Sequence, residues 1–307
     1  MSLRVNILFA ALVAAAPASR AAGMTSSFLY TLEDPASRRS FGWASLTFDS
    51  NASEVFLVSG GVVDIFNDNG LATYAFGDDT ALGQPIGVAA LENGELYVIA
   101  AVEQSMQLVR CNFRGEPQSR VEISGLPAEF AGSFGPNRIA AARGKLYLAD
   151  TNAMKVAVVS PDGAVSAAWN LPKLIGLGPR DPADAMMRGF NVDRDGNVLF
   201  TVASVFAAYV LSPDGKLRTF GAKGSAPGKF NIVSGIAADD EGHLFLTDTL
   251  RAVVMVFDAD FRFLGEFGYR GDDPDNLVSP FNLAVGNHRV YVSQSRGSVK
   301  AFAVRFD

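Results

Sequence analysis

The chain has 307 residues, 49% hydrophobic and 19% charged, with a formal net charge of −6. That length suits one large folded domain or two small ones, and the apolar content suits a sizeable core. The acidic balance weighs against broad phosphate contact, so no nucleic-acid partner is expected. A single cysteine excludes a disulfide framework and a cysteine metal cluster.

Residues 1–22 read as a secretory signal. Arg4 supplies the positive start and residues 5–16 an apolar run too short to span a bilayer. Cleavage is placed after Ala18 or Ala21, which puts the mature protein in the periplasm or outside the cell. The competing reading is a cytoplasmic protein that starts at Met24. No later segment reaches the apolar length of a membrane helix, so the mature chain is expected to have no membrane span.

A strand-like run at 28–33 stands alone. A polar connection with Pro35, Arg38 and Arg39 follows it. Then short β-branched and aromatic runs recur in fours, separated by Asp, Asn, Gly and Pro. Blade one takes residues 45–48, 55–58, 62–66 and 71–76. Blade two takes 86–91, 96–100, 106–111 and 119–123, and Cys111 sits in its third strand as a packed thiol. Blade three takes 138–142, 146–149, 156–160 and 165–169. Blade four takes 189–192, 198–202, 207–211 and 217–220. Blade five takes 235–238, 244–247, 253–257 and 263–267. Blade six has only 281–285, 290–293 and 299–304.

The second strands open on Val55, Leu96, Leu146, Val198, Leu244 and Val290, at spacings of roughly 41, 50, 52, 46 and 46 residues. Ser160-Pro161-Asp162-Gly163 and Ser212-Pro213-Asp214-Gly215 suit type I turns between third and fourth strands. Asp258-Ala259-Asp260 holds the same place in blade five. Blade six lacks a fourth strand, and the lone run 28–33 can supply it, which leaves no open edge in the ring. The expectation is an all-β chain in which residues 23–307 form one six-bladed β-propeller of four-stranded antiparallel blades.

With the blades laid out, the chain resembles the NHL-repeat family of six-bladed propellers. Leu146-Tyr147-Leu148-Ala149-Asp150-Thr151 and Leu244-Phe245-Leu246-Thr247-Asp248-Thr249 resemble the strand-ending pattern of that family, and Val290-Tyr291-Val292-Ser293-Gln294-Ser295 is a drifted copy. Phe220-Gly221 through Phe230, and Phe267-Gly268 through Phe281, resemble the loop that opens each repeat. The resemblance implies the fold. It leaves function open, because propellers host many functions.

In such a ring the loops between second and third strands share an upper face with the inter-blade loops, where propellers usually bind. His243 and His288 fall in turns of the lower face, so they do not suit a zinc centre. This weighs against the zinc-dependent amidating lyases that share the fold. The axial positions read Ser45, Gly87, Arg138, Gly189, Gly235 and Asn282. One residue earlier they read Ala44, Ile86, Asn137, Arg188, Ser234 and Phe281. Neither set holds a carboxylate, as a calcium site of the lactonase-like propellers requires. No nucleophile elbow is present. No catalytic residue, metal or cofactor is therefore expected.

What remains on the upper face is polar and apolar binding chemistry. Asp150, Asp248, Arg251 and Arg296 come from the loops between second and third strands, and Arg138 and Arg188 lie nearer the axis. The arginines suit an anionic ligand or acidic partner, whereas Asp150 and Asp248 equally suit bonds within their own turns. Two long inter-blade loops are unusually apolar. Residues 125–136 contain Leu126, Phe130 and Phe134. Residues 170–187 contain Leu174, Ile175 and Met186, with a short helix expected from Asp181-Pro182. The leading expectation is an exported, non-catalytic propeller, monomeric on its own, that docks a protein or peptide of the cell envelope on this face. The alternative is a lactonase-like hydrolase or lyase with an atypical central site.

Overall fold

The computed structural model describes residues 23–33, 39–79, 81–103, 105–178, 182–271, 273–297 and 299–306. The expected signal segment and Asp181 lie outside the described residues. The strands form six four-stranded antiparallel sheets, which are the six blades of a propeller. Five blades are consecutive meanders. In the sixth, strands Pro280–Gly286, Arg289–Gln294 and Val299–Phe306 are completed by the N-terminal strand Met24–Leu32.

This closing strand pairs from Met24 opposite Phe306 to Leu32 opposite Val299, with an irregularity between Phe28 and Tyr30. It begins four residues before the apolar run seen in the sequence. Residues 25–27 are exposed, so backbone pairing rather than burial extends it. The fourth strand of blade two is also displaced, to Pro117–Val121. Val121 pairs with Leu108, and Ser124 then leaves the sheet to bridge Ala164 in blade three.

Both faces of each blade are covered by neighbours, so second and third strands need not alternate. Leu244–Asp248 and Val253–Phe257 are buried throughout. The apolar side chains gather into six clusters, one at each seam between blades. Burial on both sides is why the runs read as continuous in the sequence.

The inner strands are Ser45–Asp49, Gln84–Ala90, Arg138–Ala142, Met187–Val192, Val233–Ala238 and Pro280–Gly286. Most are stitched to the next by one polar side chain. The Thr201 hydroxyl donates to Ser234 O at 2.5 Å, Thr247 to Phe281 O at 3.2 Å, and Thr47 to Val88 O at 2.9 Å. Asn282 Oδ1 accepts from Leu46 N at 3.1 Å. Glycine allows this closeness. A Cβ on Gly189 would lie 2.2 Å from Ser234 O, and one on Gly235 would lie 2.9 Å from Phe281 O. Among the described residues, no such stitch joins the axial parts of blade three to its neighbours; the seam to blade four is bridged from the turn below, where Arg143 Nε donates to Arg194 O at 3.3 Å.

Candidate functional site

The upper face carries the starts of the inner strands and the loops between second and third strands. Beside its axis, at the seam of blades one and two, lies a socket of about 240 Å³, lined in part by Trp43, Ser45, Gln84, Ile86, Arg138 and Phe281. Trp43 and Phe281 meet edge to face, centroids 5.3 Å apart, and form an aromatic wall. Trp43 N donates to Gln294 O at 3.0 Å, which pins its left-handed backbone (φ 58°) to blade six. The indole is nevertheless 54% exposed.

Arg138 forms the opposite chemistry of the socket and also lines the narrower axial channel below it. One of its five N–H donors is used within the protein, to Asn137 O at 2.8 Å. Among the described residues no carboxylate pairs with it, and burial holds its guanidinium below the usual arginine range. Arg188 is the second residue of the next inner strand, one residue nearer the rim. Its Nε is buried without a hydrogen-bond partner. Arg138 thus lines the axis, whereas Arg188 lines neither the socket nor the channel below it.

The other expected site residues divide differently. Asp150 and Asp248 are buried and tie loops together. Asp150 accepts from Gly135 N, Asn152 N and Ala153 N at 2.9–3.0 Å. Asp248 accepts from Asn231 N, Ile232 N, Leu250 N and Arg251 N at 2.6–3.2 Å. Carboxylates saturated in this way are framework, not ligand contacts, which corrects their place among binding residues. Arg251 is corrected as well. Its side chain is 9% exposed and is paired to Glu266 at 2.5 Å. Arg296 is exposed on this face.

The two long loops pack on each other. Glu129 holds Lys173 and Asn170 of the second loop, and Lys173 keeps the Glu129 carboxyl below the usual carboxylate range. Lys155 donates to Glu129 O and Ser133 Oγ while lying 5.1 Å above the Phe130 ring. Phe130 is only 1% exposed, so it is a packed side chain rather than a contact surface. Ile175 is half-buried against the blade three–four cluster. The expected helix is present as Pro182–Ala185. A further turn, Leu171–Leu174, is capped by Asn170, whose side chain accepts from Lys173 N at 3.3 Å.

Leu174 and Met186 do remain exposed, at 37% and 38%. They join Trp43, Met106, Val205, Leu250 and Tyr269, all large, apolar, exposed and on the upper face. Met106 was read as part of a strand, and the other four were missed because a lone apolar residue in a turn has no period. For Trp43 and Tyr269 the signal was a bulky side chain beside a turn glycine, Gly42 and Gly268.

The lower face is different. A bowl of about 590 Å³ opens there, larger than the upper socket, rimmed by turns that carry Asp49, Glu92, Asp193, Asp239 and His288. Three of these carboxylates serve their own turns. Asp49 accepts from Asn51 N, Asp193 from Asp195 N and Asn197 N, and Asp239 from Glu241 N and His243 N. Among the described residues no group of three or more His, Cys, Asp or Glu comes together to hold a metal. The upper mouth is cationic, so its residues do not fit a calcium ion of the lactonase-like kind.

No family model matches the sequence, and no curated protein matches it. Solved structures share the fold. Regucalcin, a calcium-binding protein from Agrobacterium tumefaciens, is similar at 15% identity over 91% of this chain and 95% of its own, with a TM-score of 0.60. A Bacteroides thetaiotaomicron protein of unknown function is similar at 13% identity over 92% of this chain and 76% of its own, with a TM-score of 0.64. The virginiamycin B lyase of Staphylococcus aureus, a catalytically inactive form with quinupristin, is similar at 13% identity over 85% and 80%, with a TM-score of 0.56. These likenesses establish a six-bladed propeller. They carry no activity across.

Proposed function

We propose that this chain is an exported, non-catalytic propeller of the NHL-repeat kind that docks a protein or peptide on its upper face. One observation carries the reading. Seven of the eleven exposed large apolar side chains among the described residues lie on that face, spread around the ring. Apolar groups of this size, set on a rigid ring, supply desolvation when a partner covers them. Three carboxylates of the lower bowl, Asp49, Asp193 and Asp239, are engaged in their own turns, which favours the upper face over the larger cavity.

A photo-reactive residue placed at Leu250 and, separately, at Phe113 on the lower face tests the assignment in the native host. Adducts with a partner protein are expected from position 250 alone. Adducts from 113 with none from 250 would overturn it.

A further inference from the structure

We infer that the socket beside the axis is a carboxylate subsite, taking an aspartate or glutamate side chain from an acidic peptide segment that crosses the upper mouth. The inference rests on the docking reading above and names the chemistry at its centre. Arg138 is a guanidinium held among protein atoms with no carboxylate beside it among the described residues, and one hydrogen bond to Asn137 O. Arg138 is half-buried, and a partly desolvated cation without a counter-charge is costly. A ligand carboxylate would supply that charge and two parallel hydrogen bonds to the planar fork. Arg188 of the adjacent blade, with its buried Nε unpartnered, adds positive charge one residue nearer the rim.

The socket selects among anions. At about 240 Å³ it has room for one short side chain. Trp43, Ile86 and Phe281 wall it with apolar surface, which suits a monoanion on an apolar stem better than a doubly charged phosphate. Below the socket the axial channel narrows to about 120 Å³, and Arg138 lines both, so a group inserted from above meets Arg138 where the space narrows.

The rim indicates how the ligand continues. Trp43 stands at the seam of blades six and one. Leu174 and Met186 stand at the seam of blades three and four, across the ring. Apolar side chains on both sides of the axis favour a chain that passes over the mouth and points one acidic residue down. A chain end would use one side only.

Trp43 reports on the socket. The chain has two tryptophans, so Trp169→Phe leaves Trp43 as the sole emitter. The probes are a blocked phenylalanine–glutamate–leucine tripeptide, its glutamine isostere, the same glutamine peptide with a free C-terminal carboxylate, and inorganic phosphate. The blocked glutamate peptide is expected to shift Trp43 emission saturably, at least about tenfold more tightly than the blocked glutamine peptide. Arg138→Gln is expected to reduce the glutamate peptide to the affinity of its isostere and to leave the isostere unchanged. If that variant does not fold, Arg138→Lys serves. Its ammonium keeps the charge without the fork, so the preference for glutamate is expected to shrink but persist.

Equal binding of the two blocked peptides, no saturable shift with any probe, or an unchanged preference in the Arg138 variant would overturn the inference. Tighter binding of phosphate or of the free C-terminal carboxylate would overturn the assignment to an acidic side chain. These outcomes are separable from failure of the docking reading, because the Leu250 and Phe113 adducts do not depend on Arg138. Adducts at 250 without peptide discrimination would leave the docking face and remove the carboxylate.

Discussion

Replacing Leu32 by alanine tests how the ring is held closed. Leu32 is the last residue of the N-terminal strand, 1% exposed and opposite Val299. It packs in the seam between blades six and one, with Phe41, Leu46, Phe66 and Tyr291. A buried leucine cut to alanine loses its transfer free energy and leaves a cavity, at about 2–5 kcal/mol. Covalently linked blades surround this site on both sides and limit collapse, so a cost of about 3 kcal/mol is expected. For a domain of this size that corresponds to a fall in Tm of about 5 °C. Leu29 lies on the same strand but is 39% exposed, and Leu29→Ala is expected to stay within about 0.5 kcal/mol of the parent. Urea and thermal denaturation followed by circular dichroism measure both. If Leu32→Ala melts with the parent, or Leu29→Ala is equally damaging, the strand does not close the ring as described.

Burial pushes the Cys111 thiol up to about 12, so the native protein is expected to resist thiol reagents at pH 8 and react only in denaturant. Rapid native labelling would contradict this. Burial, with Asp49 beside it, holds the Glu54 carboxyl above its usual value. The fold therefore favours neutral Glu54, and that stability is lost as pH rises through the raised folded value. Glu54→Gln is expected to raise Tm at pH 7 and to have little effect at pH 4, and an equal gain at both would refute the sign. Arg251→Ala strands the buried Glu266 carboxylate and is expected to cost about 3–5 kcal/mol in urea unfolding. Joint replacement of both residues by apolar ones is expected to recover most of that loss, and failure to do so would show that the pair is not the cause.

The architecture was legible because each blade is covered on both sides. Runs such as Val253–Phe257 are then apolar at every position, and their period gives the blade count. Closure was legible from a deficit, the missing fourth strand of blade six. Its true start at Met24 was not, because exposed Thr25, Ser26 and Ser27 carry no apolar signal. The starts of the first strands were legible too, and Arg138, read there, lines the axial channel. Function in the loops was harder to read. Asp248 looks like a surface carboxylate until its four backbone donors are seen, and Phe130 looks like a loop hydrophobe until Lys155 is found above it. Trp43 is the converse case. Turn geometry, not pattern, brings it to the socket.

The central claim is that the upper face binds. Its most direct test is the affinity of the purified protein for the partner trapped from position 250, in three forms. Leu250→Ser with Met186→Ser removes apolar surface from the upper rim, and both side chains are exposed, so the melting curve is expected to stay unchanged. Glu92→Lys with Asp240→Lys reverses charge around the lower bowl. The account predicts that the upper pair weakens binding at least about tenfold, roughly 1.4 kcal/mol, and that the lower pair matches the parent. Loss of binding in the lower pair, with the upper pair unaffected, would contradict it.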